Sequence, residues 1–292
     1  MLGIKKILYH FINDQKWTLG FIEQPLKDIV EGKPYVIKYM EGMPHGRWFA
    51  DPFILDYDED RIQVLAEEFC FNLHRGRIAR LSIDRKSYRL LEYKIILDLP
   101  THLSFPFIQR KNGKVYICPE NSASGSWCMY EYDPDSQQCI KVQTILTEPL
   151  TDAIITDLLD KDYIFSTHLP NQNGNTLSVY SVYGVLQQEL VFPSKVARNA
   201  GEWFCIDERV YRPAQDCDNG YGRAVIIQEI MQADDSLKFN NVCRIESNHP
   251  KFTTGCHTFN HYNGLSVVDV HGWRRPRLVK WVNYTKRLLR RH

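Results

Sequence analysis

FADPFILDYDEDRIQVLAEE (49–68) decides the fold. An apolar strand opens on a small residue and an acid, turns through DYDED, and returns as a second strand closing on Glu67 and Glu68. The same shape recurs down the chain. LSFPFIQ (103–109) turns through RKNG into KVYICPE, ending at Glu120, and TDAIITD (151–157) leads to YIFSTH, ending at His168. NAGEWFCI (199–206) leads to VYRPAQD, ending at Asp216, and CHTFNHY (256–262) turns at Asn263-Gly264 into LSVVDVH, carrying Asp269 and His271. The openings align at Asp51, Phe105, Asp152, Ala200 and His257, in steps of 54, 47, 48 and 57 residues. Self-similarity at this period marks a propeller or another array.

Five units in 292 residues fit one closed domain. VYICP, YIFST and AVIIQEI are nearly continuously apolar, as middle strands covered on both faces should be. Asn112-Gly113, Asn263-Gly264 and Asp218-Asn219-Gly220 are hairpin signals. The fifth unit is short after Asp269. WTLGFIE (17–23) and KPYVIKY (33–39) are expected to complete it, leaving the ring no free edge. The expectation is an all-β, five-bladed β-propeller over 17–273. It is flanked by an amphipathic helix at 1–16 and a basic amphipathic helix within 274–292, with helices only at these termini.

A hydrophobic fraction of 43% with 24% charge is globular, and 16 Tyr, 14 Phe and 6 Trp suit strands or a sugar-facing surface. The eight cysteines are scattered singly and form no C-x-x-C; the N-terminus reads as no signal peptide and no run is long enough to span a bilayer. Reduced thiols in a cytoplasmic protein are expected. Residues 274–292 hold eight Lys or Arg and no acid, leaving 28 bases against 35 acids in the remainder. An acidic body with a basic, apolar-striped tail argues against a nucleic-acid partner. It fits either a capping helix or an anchor on an anionic membrane, on the inner face of the plasma membrane.

Inner strands of a propeller line its channel, so the repeat becomes a list of candidate site residues. Asp51, Glu120 and Asp152 are candidate catalytic carboxyls, each alternatively an acid that ties neighbouring blades together. Paired carboxyls are the machinery of glycosidic chemistry, one protonated and one ionised. Asp51 is the expected base, held extended by the following Pro52, and Glu120 the expected acid. Glu67, His168, Arg198, Arg212, Gln215, Asp216, His257 and Asp269 are expected to bind substrate, the two arginines as counter-charges. His257 is a proton donor, a metal ligand or a satisfied structural histidine. No metal is assigned, since the D-x-D spacing in DYDED falls in a turn rich in acids. No G-x-G-x-x-G, Walker, G-x-S-x-G or H-E-x-x-H motif is present.

At ADPF, LSFPFI…NGKVYICPENS, TDA, RPAQDC…YG and HTFN, over about 17–273, the chain resembles a known group. It is similar to the propeller domain at the N-terminus of plant glucosamine inositolphosphorylceramide transferases, also found in bacterial polysaccharide loci. That domain resembles the five-bladed propellers of family-43 glycoside hydrolases. The resemblance implies a propeller that builds or modifies surface glycans, with Asp51 matching the hydrolase base. The second opening, Ser104-Phe105-Pro106, departs from the hydrolases' second-blade Asp, and no glutamate stands at the third or fourth opening. In the plant family, transfer is attributed to a separate C-terminal domain. Three functions remain open: a glycosyltransferase of capsule or lipopolysaccharide assembly using a sugar-nucleotide donor and a lipid-linked glycan, a glycoside hydrolase, and a non-catalytic carbohydrate-binding propeller.

Overall fold

A computed structural model describes residues 15–157, 159, 161–233 and 236–273. Both expected terminal helices fall outside these residues, except that Gln15 and Lys16 are not helical but begin a strand.

Numbered along the chain, β1 (Gln15–Ile22) and β2 (Lys38–Tyr39) flank a short helix, α1 (Leu26–Val30). This helix corrects the expectation that helices occur only at the termini, and only Lys38 and Tyr39 of KPYVIKY are in a strand. The first blade is β3 (Arg47–Tyr57), β4 (Arg61–Cys70), β5 (Arg75–Asp84) and β6 (Leu90–Leu97). The second is β7 (Ser104–Lys111), β8 (Lys114–Glu120), β9 (Trp127–Asp133) and β10 (Gln138–Leu146). The third is β11 (Leu150–Thr156), β12 (Tyr163–His168), β13 (Thr176–Ser181) and β14 (Leu186–Val191). The fourth is β15 (Phe204–Ile206), β16 (Arg209–Asp216), β17 (Ala224–Ala233) and β18 (Ser236–Ile245). The fifth, β19 (Phe259–Tyr262) and β20 (Leu265–Trp273), is completed by β1 and β2, so strands from both ends of the described chain share one sheet and close the ring.

The hairpin signals act as expected: Asn112-Gly113 and Asn263-Gly264 both take positive φ, which the twist of a two-residue turn requires. In DYDED, the Asp58 carboxylate accepts the Asp60 and Arg61 amides, so this D-x-D is turn chemistry. Apolar side chains fill the spaces between blades, for example the edge-to-face pair of Phe53 and Phe105. β3, β7 and β11 are largely buried, whereas β10 and β14 on the outside are largely exposed.

Three inner strands share a device that the residue pattern did not reveal. Pairing slips between Ala50 and Phe53, between Ser104 and Phe107, and between Thr151 and Ile154, leaving a bulge in each. In each bulge a non-glycine residue is left-handed: Asp51 at φ 49°, Phe105 at φ 40° and Asp152 at φ 46°. Asp51 is therefore not extended as Pro52 suggested. Such backbone costs about 1–3 kcal/mol per residue. The bulge is offset by what it presents, because it turns an amide N–H into the channel.

Candidate functional site

The bulge amides meet carboxylates. The Asp51 N–H donates to Asp269 Oδ2 at 3.0 Å, the Phe105 N–H to Asp51 Oδ2 at 3.1 Å, and the Asp152 N–H to Glu120 Oε2 at 3.1 Å. Side chains extend this network. Thr258 Oγ1 donates to Asp51 Oδ1 at 2.8 Å, tying the fifth blade to the first. Arg198 forks onto Asp152 through Nε at 2.6 Å and reaches Glu120 Oε2 at 3.3 Å. Gln215 Nε2 donates to Asp152 Oδ2 at 2.6 Å. His257 Nδ1 lies 2.6 Å from Asp269 Oδ2 and its Nε2 3.4 Å from Asp51, while the ring stacks on Trp17 at 4.0 Å. Asp51, Glu120, Asp152, Arg198, Gln215, His257 and Asp269 are thus one cluster. Glu67 joins it: its Oε1 stands 3.3 Å from His102 Nε2, and the Asp51, Glu120 and Asp269 charges act on its carboxyl.

Three expected members lie elsewhere. His168 turns away to Tyr180, whose hydroxyl is 2.8 Å from Nε2. Asp216 pairs with Arg244 at 2.6 Å. Arg212 is no counter-charge: it is fully buried, donating to Asn199 Oδ1, Gln228 Oε1 and the carbonyls of Val196 and Ala197, which pins the chain entering the fourth blade. The register explains His168. Glu67 and Glu120 lie opposite Ala50 and Ser104, the residues just before each bulge, and the residue opposite Thr151 is Thr167. His168 is one position too far, and one position along a strand is the other face.

Other members escaped the sequence reading. Asn199 donates to the carbonyls of Asp152 and Phe165, and Asn173 Oδ1 accepts from Arg198 at 3.0 Å. Tyr221 places its ring 5.2 Å under the Arg198 guanidinium. Trp17, His102, Asn173 and Tyr221 sit outside the aligned strand openings and ends, the positions that flagged the acids, and Thr258 directly follows the aligned His257.

Burial sets the electrostatics. It pushes the Glu120 carboxyl up, helped by the Asp152 charge and opposed by Arg198, to about 8. It raises Asp51 to about 6, where His257 holds it back. Glu67 is carried well above the carboxylate range by burial, then by the neighbouring acids. Burial also opposes charge on His257 and Asp269, but their mutual attraction wins, raising the imidazole and lowering the carboxyl. Near pH 7 the channel therefore holds a protonated Glu120 beside an ionised Asp51. The ligand atoms of Asp51, His257 and Asp269 lie within 4.8 Å of one another, a spacing open to a cation. The His257–Asp269 ion pair already supplies the positive charge, so a cation would have to displace its proton.

One buried acceptor in the cluster, Gln215 Oε1, has no hydrogen-bond donor among the described residues, whereas Glu67 Oε1 faces His102 Nε2 at 3.3 Å. An acceptor without a donor costs about 1–3 kcal/mol unless something donates to it.

The titrations also set the pH dependence of stability. Glu120, folded at about 8 against an ordinary 4.5, contributes stability that is complete below about pH 4.5 and lost as pH rises through 8. The raised Glu67 and His257 act in the same sense; the lowered Asp269 matters only in acid. Urea unfolding should therefore show stability falling between pH 5 and 8.5 by several kcal/mol, at about 1.4 kcal/mol per pH unit per group. Stability that rises across this range would contradict the assignment.

A family model described as "Glucosamine inositolphosphorylceramide transferase 1, N-terminal" matches residues 39–271. Glucosamine inositolphosphorylceramide transferase 1 of Arabidopsis thaliana is 30% identical over 207 residues, which cover 65% of this chain and 26% of that protein. The protein of the same name in Oryza sativa subsp. indica is 26% identical over 204 residues, 65% of this chain and 27% of that one. The chain thus spans about a quarter of the length of these curated relatives. Among solved structures, a family-43 β-1,3-galactosidase with galactodeoxynojirimycin aligns over 72% of this chain and 83% of its own, with a TM-score of 0.48 and 9% identity. An exo-β-1,3-galactanase from Clostridium thermocellum aligns over 70% of this chain and 54% of its own, with a TM-score of 0.43 and 10% identity.

Proposed function

The chain belongs to the family of glucosamine inositolphosphorylceramide transferase N-terminal domains, and from that premise we propose that its channel acts on a glycan. The observation carrying this reading is the orphaned acceptor Gln215 Oε1, beside carboxyls whose proton affinities have been pushed apart. A sugar offers several hydroxyl donors on one small ring and would satisfy this acceptor. Glu120, protonated near neutrality, gives its proton to the leaving oxygen where that is an alkyl or sugar oxygen; a nucleoside diphosphate leaves without it. Asp51, ionised, takes the proton of the incoming hydroxyl, so the protons balance over one transfer. Arg198 holds Asp152 and steadies Glu120. The incoming hydroxyl belongs to an acceptor sugar in glycosyl transfer and to water in hydrolysis.

Of these, we favour transfer in the assembly of a bacterial surface polysaccharide, capsule or lipopolysaccharide, from a sugar-nucleotide donor to a lipid-linked glycan. The relatives' names, which include a transferase and a ceramide lipid, support it. So does the cationic stretch 274–292, outside the described residues, which would hold the channel mouth beside an anionic membrane on the cytoplasmic face. Among the described residues no helix is long and apolar enough to cross a membrane.

A non-catalytic reading is favoured by one observation. Asp51 is only 4% exposed, and both its oxygens accept bonds that join blades. The two readings separate in one assay. Wild type and Asp51→Asn are given sugar-nucleotide donors with glycan acceptors, and arabinoside, xyloside and mannoside substrates for hydrolysis. Turnover lost in Asp51→Asn by at least a hundredfold is expected. Sugar binding that survives the substitution, with no turnover in either protein, would leave a binding propeller.

A further inference from the structure

We propose that the cleft on the third blade, beside the channel mouth, is an extended subsite for neutral sugar units, so that the ligand is an oligosaccharide rather than a single sugar. This rests on the glycan reading above and adds a second site to it. The cleft, of about 800 Å³, is built from the end of β12, the 169–175 loop and one face of β13 and β14. That volume is within the ~300–1,000 Å³ of small-molecule sites. His168, the residue that misses the channel, is in its wall, hydrogen-bonded to Tyr180.

Three features fit a neutral glycan. First, the loop reads Asn171-Gln172-Asn173, and all three line the cleft; amides both donate to and accept from sugar hydroxyls. The buried Gln172 Oε1 has no donor among the described residues, leaving an acceptor for a ligand hydroxyl. Second, the charged walls nearly cancel. Glu189 and Lys195 are both exposed, and burial holds His168 below its ordinary value and hence neutral at pH 7. Nothing there resembles the cationic fork that a phosphate requires. Third, the cleft is joined to the channel. Asn173 lines it while its Oδ1 accepts from Arg198, and the same guanidinium contacts Glu120. A chain with its terminal unit at Glu120 is thereby led past Asn173 into the loop. Tyr180 supplies an aromatic wall.

The test uses the full chain and an array of neutral hexose and pentose oligosaccharides of one to six units beside phosphorylated, sulfated and uronic ones, with calorimetric titration of the length series that binds. Affinity is expected to rise at least tenfold from the mono- to the trisaccharide. Gln172→Ala and Asn171→Ala should abolish the rise and leave monosaccharide affinity and the urea midpoint unchanged. A flat length series, a rise that both variants retain, or tight binding confined to phosphorylated, sulfated or uronic sugars overturns the subsite. A monosaccharide that binds with no gain from length defeats this inference alone. Failure of every glycan to bind defeats the channel reading with it.

Discussion

Replacing Arg198 with alanine is expected to destabilise the protein by about 3–5 kcal/mol, as removal of one partner from a buried ion pair does. The guanidinium is 8% exposed and spends its donors on Asp152, Glu120 and Asn173. Without it, Asp152 stays 1% exposed with its left-handed backbone, the Gln215 amide being its remaining side-chain hydrogen-bond donor among the described residues. The penalty is mainly the stranded carboxylate, not the lost attraction. Adding Asp152→Asn to Arg198→Ala should therefore recover part of the loss, and Arg198→Lys should fall between, since an ammonium cannot fork onto both oxygens. Urea unfolding of the four proteins decides it. A loss below about 1 kcal/mol in Arg198→Ala would mean that water takes the place of the guanidinium on Asp152.

The ring was legible because blades repeat. The period aligned Asp51, Asp152 and His257 on inner strands and Glu67, Glu120 and Asp269 on their partners, and the structure gathers all six. Chain-end strands completing the fifth blade were legible from the shortness of that unit. A strand residue's face depends on its register: Glu67, Glu120 and Thr167 pair with the residue just before each bulge, and His168 lies one position beyond. Hence His168 was counted where Thr167 belongs. Asp216 went to Arg244, a partner 28 residues on in a strand outside the repeat's two-strand core. Arg212 looked like a channel cation because nothing in RPAQD reveals that two carbonyls and two side-chain oxygens surround it. Phe105, the apparent gap in the acid series, proved to matter through its amide rather than its side chain. The fourth opening, Ala200, carries no acid; the fourth blade reaches the centre instead through Arg198 and Asn199, two and one residues earlier.

The second large effect concerns the proton on Glu120. Glutamine keeps the shape and accepts the Asp152 amide, but it has no acidic proton to give. A positioned general acid is worth about 10²–10⁴ in rate. The loss must depend on the leaving group: an alkyl or sugar oxygen needs that proton, whereas an activated aryl oxygen departs almost without it. Because Glu120 loses its proton at about 8, wild-type turnover of unactivated glycans should also fall above pH 8, a limb that Glu120→Gln removes.

Turnover by Glu120→Gln on paired glycosides that share one sugar and differ only in leaving group is the most direct measurement. The expected result is a loss of a hundredfold or more with the alkyl leaving group, less than tenfold with the activated aryl one, and no alkaline limb near pH 8. Equal turnover by wild type and Glu120→Gln on both substrates would contradict a channel whose chemistry runs on a carboxyl kept protonated at neutral pH.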